Sequence, residues 1–300
     1  MTEKTRNLLV RTASGIIFTA IMLAAMLLGR LTFAVMLLCV TAGCMWEVYG
    51  LSEKNGARPH KTAGTLIGML IVGINLALVE TVINNIAFLK YMGIAMVLVI
   101  LLTVTLFIVE IWRQKGNPMQ NLGATFLGVA YVALPVSLIA LFPLVGNKML
   151  FPWNPLIVPA YILIVWANDV FAYLIGITLG RRKFFERLSP KKSWEGFFGG
   201  LVGAVAVAAV VGKFLVKGDI WLWMGLGLII GLTSVLGDLV ESNFKRSVGV
   251  KDSGNVLPGH GGLLDRFDAV LVSAPFVFIF FIIVLLMNSG NLLQNLTGLF

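Results

Sequence analysis

Nine apolar stretches, each of roughly the 20 residues that a helix needs to cross a bilayer, run through this chain. They fall near 8–29, 31–50, 64–82, 86–110, 122–142, 157–177, 197–217, 220–239 and 268–288. The second carries Glu47 near its end, and the eighth is interrupted by several glycines. Backbone polar groups cannot go unpaired in lipid, so helices are the expected form. The strict alternation of a membrane barrel is absent. With 58% hydrophobic and 12% charged residues among 300, a soluble chain could not cover its own surface with polar groups; soluble domains carry about 25% charged residues. The expected fold is therefore all-α, a polytopic integral membrane protein with about nine transmembrane helices.

Lysine and arginine placement orients the spans. With the N-terminus inside, 18 of the 23 basic residues lie on inner segments, and nine spans then place the C-terminus outside. The formal net charge of +9 is explained first by basic loops meeting anionic headgroups. No soluble domain presents a basic patch to nucleic acid, so that partner is not expected. Cys39 and Cys44 both fall in the second span and are expected to be buried packing residues, without metal or disulfide spacing. The first apolar stretch lacks a clear cleavage site and is expected to be a retained helix.

The two halves differ. Residues 1–160 are expected to form N-terminal transmembrane helices. Their few carboxylates, Glu47, Glu80 and Glu110, sit near predicted helix ends as interfacial anchors. Residues 161–300 are expected to be a catalytic transmembrane region with two polar inner loops, about 178–196 and 240–267. No internal repeat is evident, which weighs against a repeat-built transporter.

Three elements carry chemistry. Asn168 and Asp169 lie well inside the sixth span, where a carboxylate costs roughly 2.5–3.5 kcal/mol on insertion scales and is a functional candidate. Asp169, Tyr173, Gly176 and Gly180 share one helical face, whose small residues would admit another helix closely. Next, Ser189-Pro190-Lys191-Lys192-Ser193-Trp194-Glu195-Gly196 reads as a helix start, with Ser189 as N-cap. Two lysines and two hydroxyls there suit phosphate. The third element runs from Gly237-Asp238-Leu239-Val240-Glu241-Ser242 through Lys245, Arg246, Lys251 and Asp252 to Pro258-Gly259-His260-Gly261-Gly262, closing on Asp265-Arg266-Phe267-Asp268. Asp238, Asp265 and Asp268 come from two helix ends facing one compartment. Such carboxylates suit Mg²⁺, which takes one or two of them plus substrate phosphates.

The run Ser242-x-Phe-Lys245-Arg246-x4-Lys251-Asp252-x-Gly254-x2-Leu257-Pro258-x-His260-Gly261-Gly262-Leu263-x-Asp265-Arg266-Phe267-Asp268 resembles, without a gap, the motif of the phosphatidate cytidylyltransferase (CDP-diacylglycerol synthase) family. The Ser-Pro-Lys-Lys-Ser-Trp-Glu-Gly, Asn168-Asp169 and Gly-Asp-Leu-Val-Glu-Ser segments are similar to it too. Ser193 stands where many members have threonine. The first half fits only as generic membrane helices.

The resemblance implies the reaction of CTP with phosphatidate to give CDP-diacylglycerol and diphosphate. It implies Asp238 and Asp265 as metal ligands for Mg²⁺, with Asp169 and Asp268 as further candidates and room for a second cation. Lys191, Lys192, Lys245, Arg246, Lys251 and Arg266 would hold CTP phosphates or the lipid headgroup, and Ser189 and Ser193 would donate hydrogen bonds to phosphate. His260 either acts on a phosphate or holds its loop. The small-residue faces are compatible with a homodimer. The short loops and the lack of a transit segment point to a bacterial inner membrane, with the active-site loops cytoplasmic. A CTP-dependent lipid kinase is the nearest competing reading. A transporter is a more distant one, because the polar groups gather at one face. The spaced aspartates of CDP-alcohol phosphotransferases are absent.

Overall fold

The computed structural model describes residues 3–82, 87–145, 153–256 and 261–297. Helices dominate: α1 (Glu3–Leu27), α2 (Arg30–Lys54), α3 (Lys61–Val82), α4 (Ala87–Arg113), α5 (Pro118–Gly128), α6 (Leu134–Ile139), α7 (Ile157–Leu179), α8 (Trp194–Val211), α9 (Ile220–Ser247) and α10 (Leu264–Thr297). Among the described residues no β-strand forms, and the chain is an all-α polytopic membrane protein. Among the described residues, eight helical spans are long and apolar enough to cross a membrane. The first expected span falls on α1, whose apolar part, Thr12–Leu27, is shorter.

A π-helical segment, Val129–Ala133, joins α5 to α6, so the two form one span, Pro118–Leu144. The cause is local: Pro135 has no N–H for the carbonyl four residues back, and the preceding turn widens. Outward faces are apolar, as lipid requires. On α4, Ile94, Val97, Ile100, Leu101, Val104 and Ile108 are all exposed. Cys39, expected to be buried, also lies on an outward face, of α2; only Cys44 is buried. Inside, Tyr49, Tyr161 and Phe142 are fully buried. Tyr49 donates its hydroxyl to the carbonyl of Thr125 at 3.0 Å, and Tyr161 donates to that of Val270 at 2.7 Å.

Helices α7, α8, α9 and α10 pack in sequence, α7 on α8, α8 on α9 and α9 on α10, while α10 also meets α2 and α6. The α7–α8 seam is built from small residues. A Cβ placed on Gly196 would stand 2.8 Å from the carbonyl oxygen of Ala172, and one on Gly200 would stand 2.8 Å from that of Asn168. Backbones approach this closely only without side chains between them. Asn168, Ala172, Gly176 and Gly180 make the α7 side of the seam. Tyr173, expected on that face, points away and is 66% exposed.

The helices outrun the hydropathy spans at the polar end. α9 continues to Ser247 and α10 starts at Leu264, so Glu241, Lys245, Arg246 and Asp265 stand on helix where a loop was expected. Hydropathy registers only the lipid-matched part of a helix, and α9 extends past it as a polar stub.

Candidate active site

The loop between α7 and α8 places the first basic group. Lys183 and Ser193 pair in an isolated antiparallel bridge, flanked by hydrogen bonds from Phe184 N to Lys192 O (2.9 Å) and from Trp194 N to Arg182 O (3.0 Å). Phe184 is buried against Val235 and Leu239 of α9. Glu195 closes the loop by accepting from the amides of Arg181 at 3.1 Å and Arg182 at 3.2 Å. This folded loop sets Lys192 in an ion pair with Asp238.

The N-cap of α8 is Ser193, not Ser189: its Oγ accepts from Gly196 N at 3.1 Å. Pro190 sits in the turn before the helix, three residues ahead of the cap, so the expected helix start is displaced. Ser193→Ala should lower stability by about 1 kcal/mol, and Ser193→Thr should restore it, in a thermal melt of detergent-solubilised protein. Ser189 is half-buried, and Lys191 is exposed.

Carboxylates converge below this loop. Asp238 and Glu241 are one turn apart on α9, and Asp268 comes from the second turn of α10. Ligand oxygens of the three lie within 4.8 Å of one another. Glu241 is 1% exposed and Asp268 9% exposed. Asp169 faces the charges of Lys192 and Asp238 from α7. Two unit charges about 4 Å apart repel by about 4 kcal/mol at an effective dielectric of 20, so this group needs cations. Lys192 pairs with Asp238, and Lys245 donates to Glu241 Oε2 at 2.7 Å. Glu241 Oε1 remains buried without a hydrogen-bond partner. A buried, unpaired carboxylate oxygen beside two further carboxylates is a donor set that fits a hard divalent cation.

Asp265, expected as a metal ligand, stands outside this trio. Its Oδ1 accepts from Lys245 Nζ at 2.6 Å, and its Oδ2 accepts from Gly262 N at 2.7 Å and Ser253 N at 3.1 Å. Lys245 is buried between Asp265 and Glu241 and bonded to both. Arg246 is exposed and donates to the carbonyl of Val250 at 3.2 Å. Lys251 and Arg266 are exposed. Arg266 lines a crevice with Phe18, Trp166 and Phe267. His260 lies outside the described residues. Asn168 is buried and donates to Ser234 Oγ at 3.0 Å, with its Oδ1 unpartnered.

Glu241 was not among the expected site residues, although its i+3 spacing from Asp238 puts both on one helix face. Glu47 and Glu110, expected as interfacial anchors, differ from that expectation. Both are buried. Glu110 accepts from Asn121 Nδ2 at 2.6 Å and meets His60 Nε2 at 2.6 Å. Glu47 binds the loop before α10. Apart from Arg113, one turn on from Glu110 at 3.4 Å, their partners lie in other segments, so little in the local sequence marks them.

Fold and site together define a multi-pass membrane protein with a carboxylate-and-lysine centre suited to holding a cation against phosphate. A family model described as the cytidylyltransferase family matches residues 9–284, and the chain belongs to that family. It is 39% identical over 163 residues to the phosphatidate cytidylyltransferase of Mycobacterium bovis, across 54% of this chain and 51% of the relative. Similarity to phosphatidate cytidylyltransferases of Staphylococcus epidermidis and Staphylococcus aureus strain COL is 46% and 48% over 114 residues, 38% of this chain and 44% of each relative. The chain spans about half the length of the curated relatives it matches.

Proposed function

We propose that this protein transfers the cytidylyl group of CTP to phosphatidate, giving CDP-diacylglycerol and diphosphate for phospholipid synthesis. The observation that carries the reading is the grouping of Asp238, Glu241 and Asp268 from two helix ends beside Lys192. In the reaction a phosphate oxygen of phosphatidate attacks the α-phosphorus of CTP. The new P–O bond forms as the α–β bridging bond breaks, and diphosphate carries the electron pair away. The attacking phosphate is already ionised, so charge neutralisation outweighs general-base catalysis. Mg²⁺ bound by Asp238, Glu241 and Asp268, with a second cation beside it, would supply that neutralisation.

Lys192 is placed to leave Asp238 for a substrate phosphate. Lys191, Arg246 and Lys251 are exposed around the same end of the bundle and draw the triphosphate or the lipid headgroup inward. Asp265 and Lys245 hold the centre together from inside. Lysine and arginine placement supports an inner-membrane protein with this end cytoplasmic, where CTP arrives from water and phosphatidate from the adjoining leaflet.

The test is label transfer by purified protein in detergent with Mg²⁺. The expected result is lipid-soluble label from α-labelled CTP with matching diphosphate release, abolished by EDTA and restored by excess Mg²⁺. Label reaching lipid from γ-labelled CTP instead, with CDP released, would overturn the reading in favour of a lipid kinase.

A further inference from the structure

Glu47 stands near the polar end of α2 and is 6% exposed. Among the described residues no lysine or arginine is ion-paired to it. Its stabilisation comes from the chain some 200 residues on. Oε1 accepts from Leu263 N at 2.9 Å, and Oε2 accepts from Leu264 N at 2.8 Å and from Ser253 Oγ at 2.7 Å. Leu264 begins α10, so α2 supplies the carboxylate that an N-cap residue normally supplies locally, where the helix dipole favours negative charge. Gly254 and Gly262 make room for it, since a Cβ on either would collide with the Glu47 carboxylate.

The contacts continue into the centre. Ser253 Oγ also lies 3.1 Å from Asp265 Oδ2. Asp265 holds Lys245, and Lys245 holds Glu241, at 2.6 and 2.7 Å. We propose that Glu47 is a positioning residue for the transfer reaction: it pins the turn before α10 so that Asp265 and Lys245 keep Glu241 within the three-carboxylate group. The role needs a carboxylate. Glutamine has one acceptor oxygen and one amide nitrogen, so one of the three donors would face another donor. The inference rests on the cytidylyl-transfer reading only for its consequence in catalysis.

Its test is Mn²⁺ affinity of the purified, nucleotide-free protein, read by electron paramagnetic resonance, beside kcat and KM. Glu47→Gln is expected to weaken Mn²⁺ binding and to lower kcat by about 10–100-fold, with the KM for phosphatidate unchanged. Glu47→Asp is expected to recover part of both. Glu110→Gln, at an equally buried carboxylate outside this chain of contacts, should keep wild-type Mn²⁺ affinity. Wild-type Mn²⁺ affinity in Glu47→Gln, or an equal loss in Glu110→Gln, would overturn the proposal. If Glu47→Gln does not fold, Ser253→Ala replaces it: a smaller loss of the same kind is expected, and unchanged Mn²⁺ affinity overturns the proposal. If wild-type protein binds Mn²⁺ but transfers no label, the reaction assignment fails, and the Mn²⁺ comparison still decides on Glu47.

Discussion

Asp238→Asn should lower cytidylyl transfer by about 10²–10³-fold while leaving a protein that melts like wild type. Asparagine keeps the shape of the side chain but removes one of three clustered negative charges, and a lost preorganised electrostatic group at a reacting phosphate is worth about that much. Stability should change little, because Asp238 is half-exposed, its ion-pair partner Lys192 is also half-exposed, and asparagine can still accept from the buried Ser242 hydroxyl. Lys192 would then lose its ion pair, so raising Mg²⁺ should recover only part of the rate. Asp219→Asn is the control on the same helix. Asp219 caps the opposite end of α9, accepting from Trp221 N at 2.8 Å, and asparagine caps nearly as well as aspartate. Nineteen residues of helix place it about 28 Å from Asp238. Activity measured across both variants should fall only at Asp238; a full loss at Asp219 would mean that charge anywhere on α9 matters, not charge at the centre.

Gly200→Val is expected to be severely damaging at the interface of α7 and α8. A Cβ at Gly200 would stand 2.8 Å from the carbonyl oxygen of Asn168 and 2.9 Å from the Ala172 Cβ. Neither neighbour is the free end of a flexible side chain, so α7 and α8 must separate. Overpacking of this kind costs roughly 1–3 kcal/mol and sometimes more. The functional loss should exceed the loss of stability, because α7 carries Asn168 and Asp169 while α8 anchors the loop bearing Lys192. Heating with detection by size-exclusion chromatography should show early loss of monodisperse protein, and residual folded protein should transfer little label. Gly123→Ala, where an added Cβ has nothing within 4 Å, should behave as wild type in both measurements.

These expectations show which parts of the molecule are readable locally. An expectation of phosphate chemistry could be read from the residue types around Asp238 and Asp265 alone, because carboxylates, lysines and glycines at two neighbouring helix ends have few other uses. Their division of labour could not. Asp265 and Asp268 are both aspartates in the first turns of α10, three apart, yet one is held by Lys245 and by the amides of Ser253 and Gly262 while the other joins Asp238 and Glu241. The difference lies in which neighbour each meets, and those neighbours come from α9, from the loop and, through Glu47, from α2. The same is true of the α8 cap. Ser189 and Ser193 are both plausible by type, and it is the packing of Phe184 against α9 that carries the chain through a turn at Pro190 and delays the helix to Trp194.

The sequence by itself determined that the chain is an all-α membrane protein, where its spans fall and at which end its polar chemistry gathers. A bilayer imposes a one-dimensional test on each segment separately, about 20 apolar residues or none, and that test needs no knowledge of any other segment. Only the tertiary structure decided that Glu241 joins Asp238 and Asp268 in a three-carboxylate group, that Lys192 meets Asp238, and that Glu47 supports a loop some 200 residues away. Charges and hydrogen bonds act over a few ångströms, and which groups come that close is set by how α2, α7, α9 and α10 pack, not by their order along the chain.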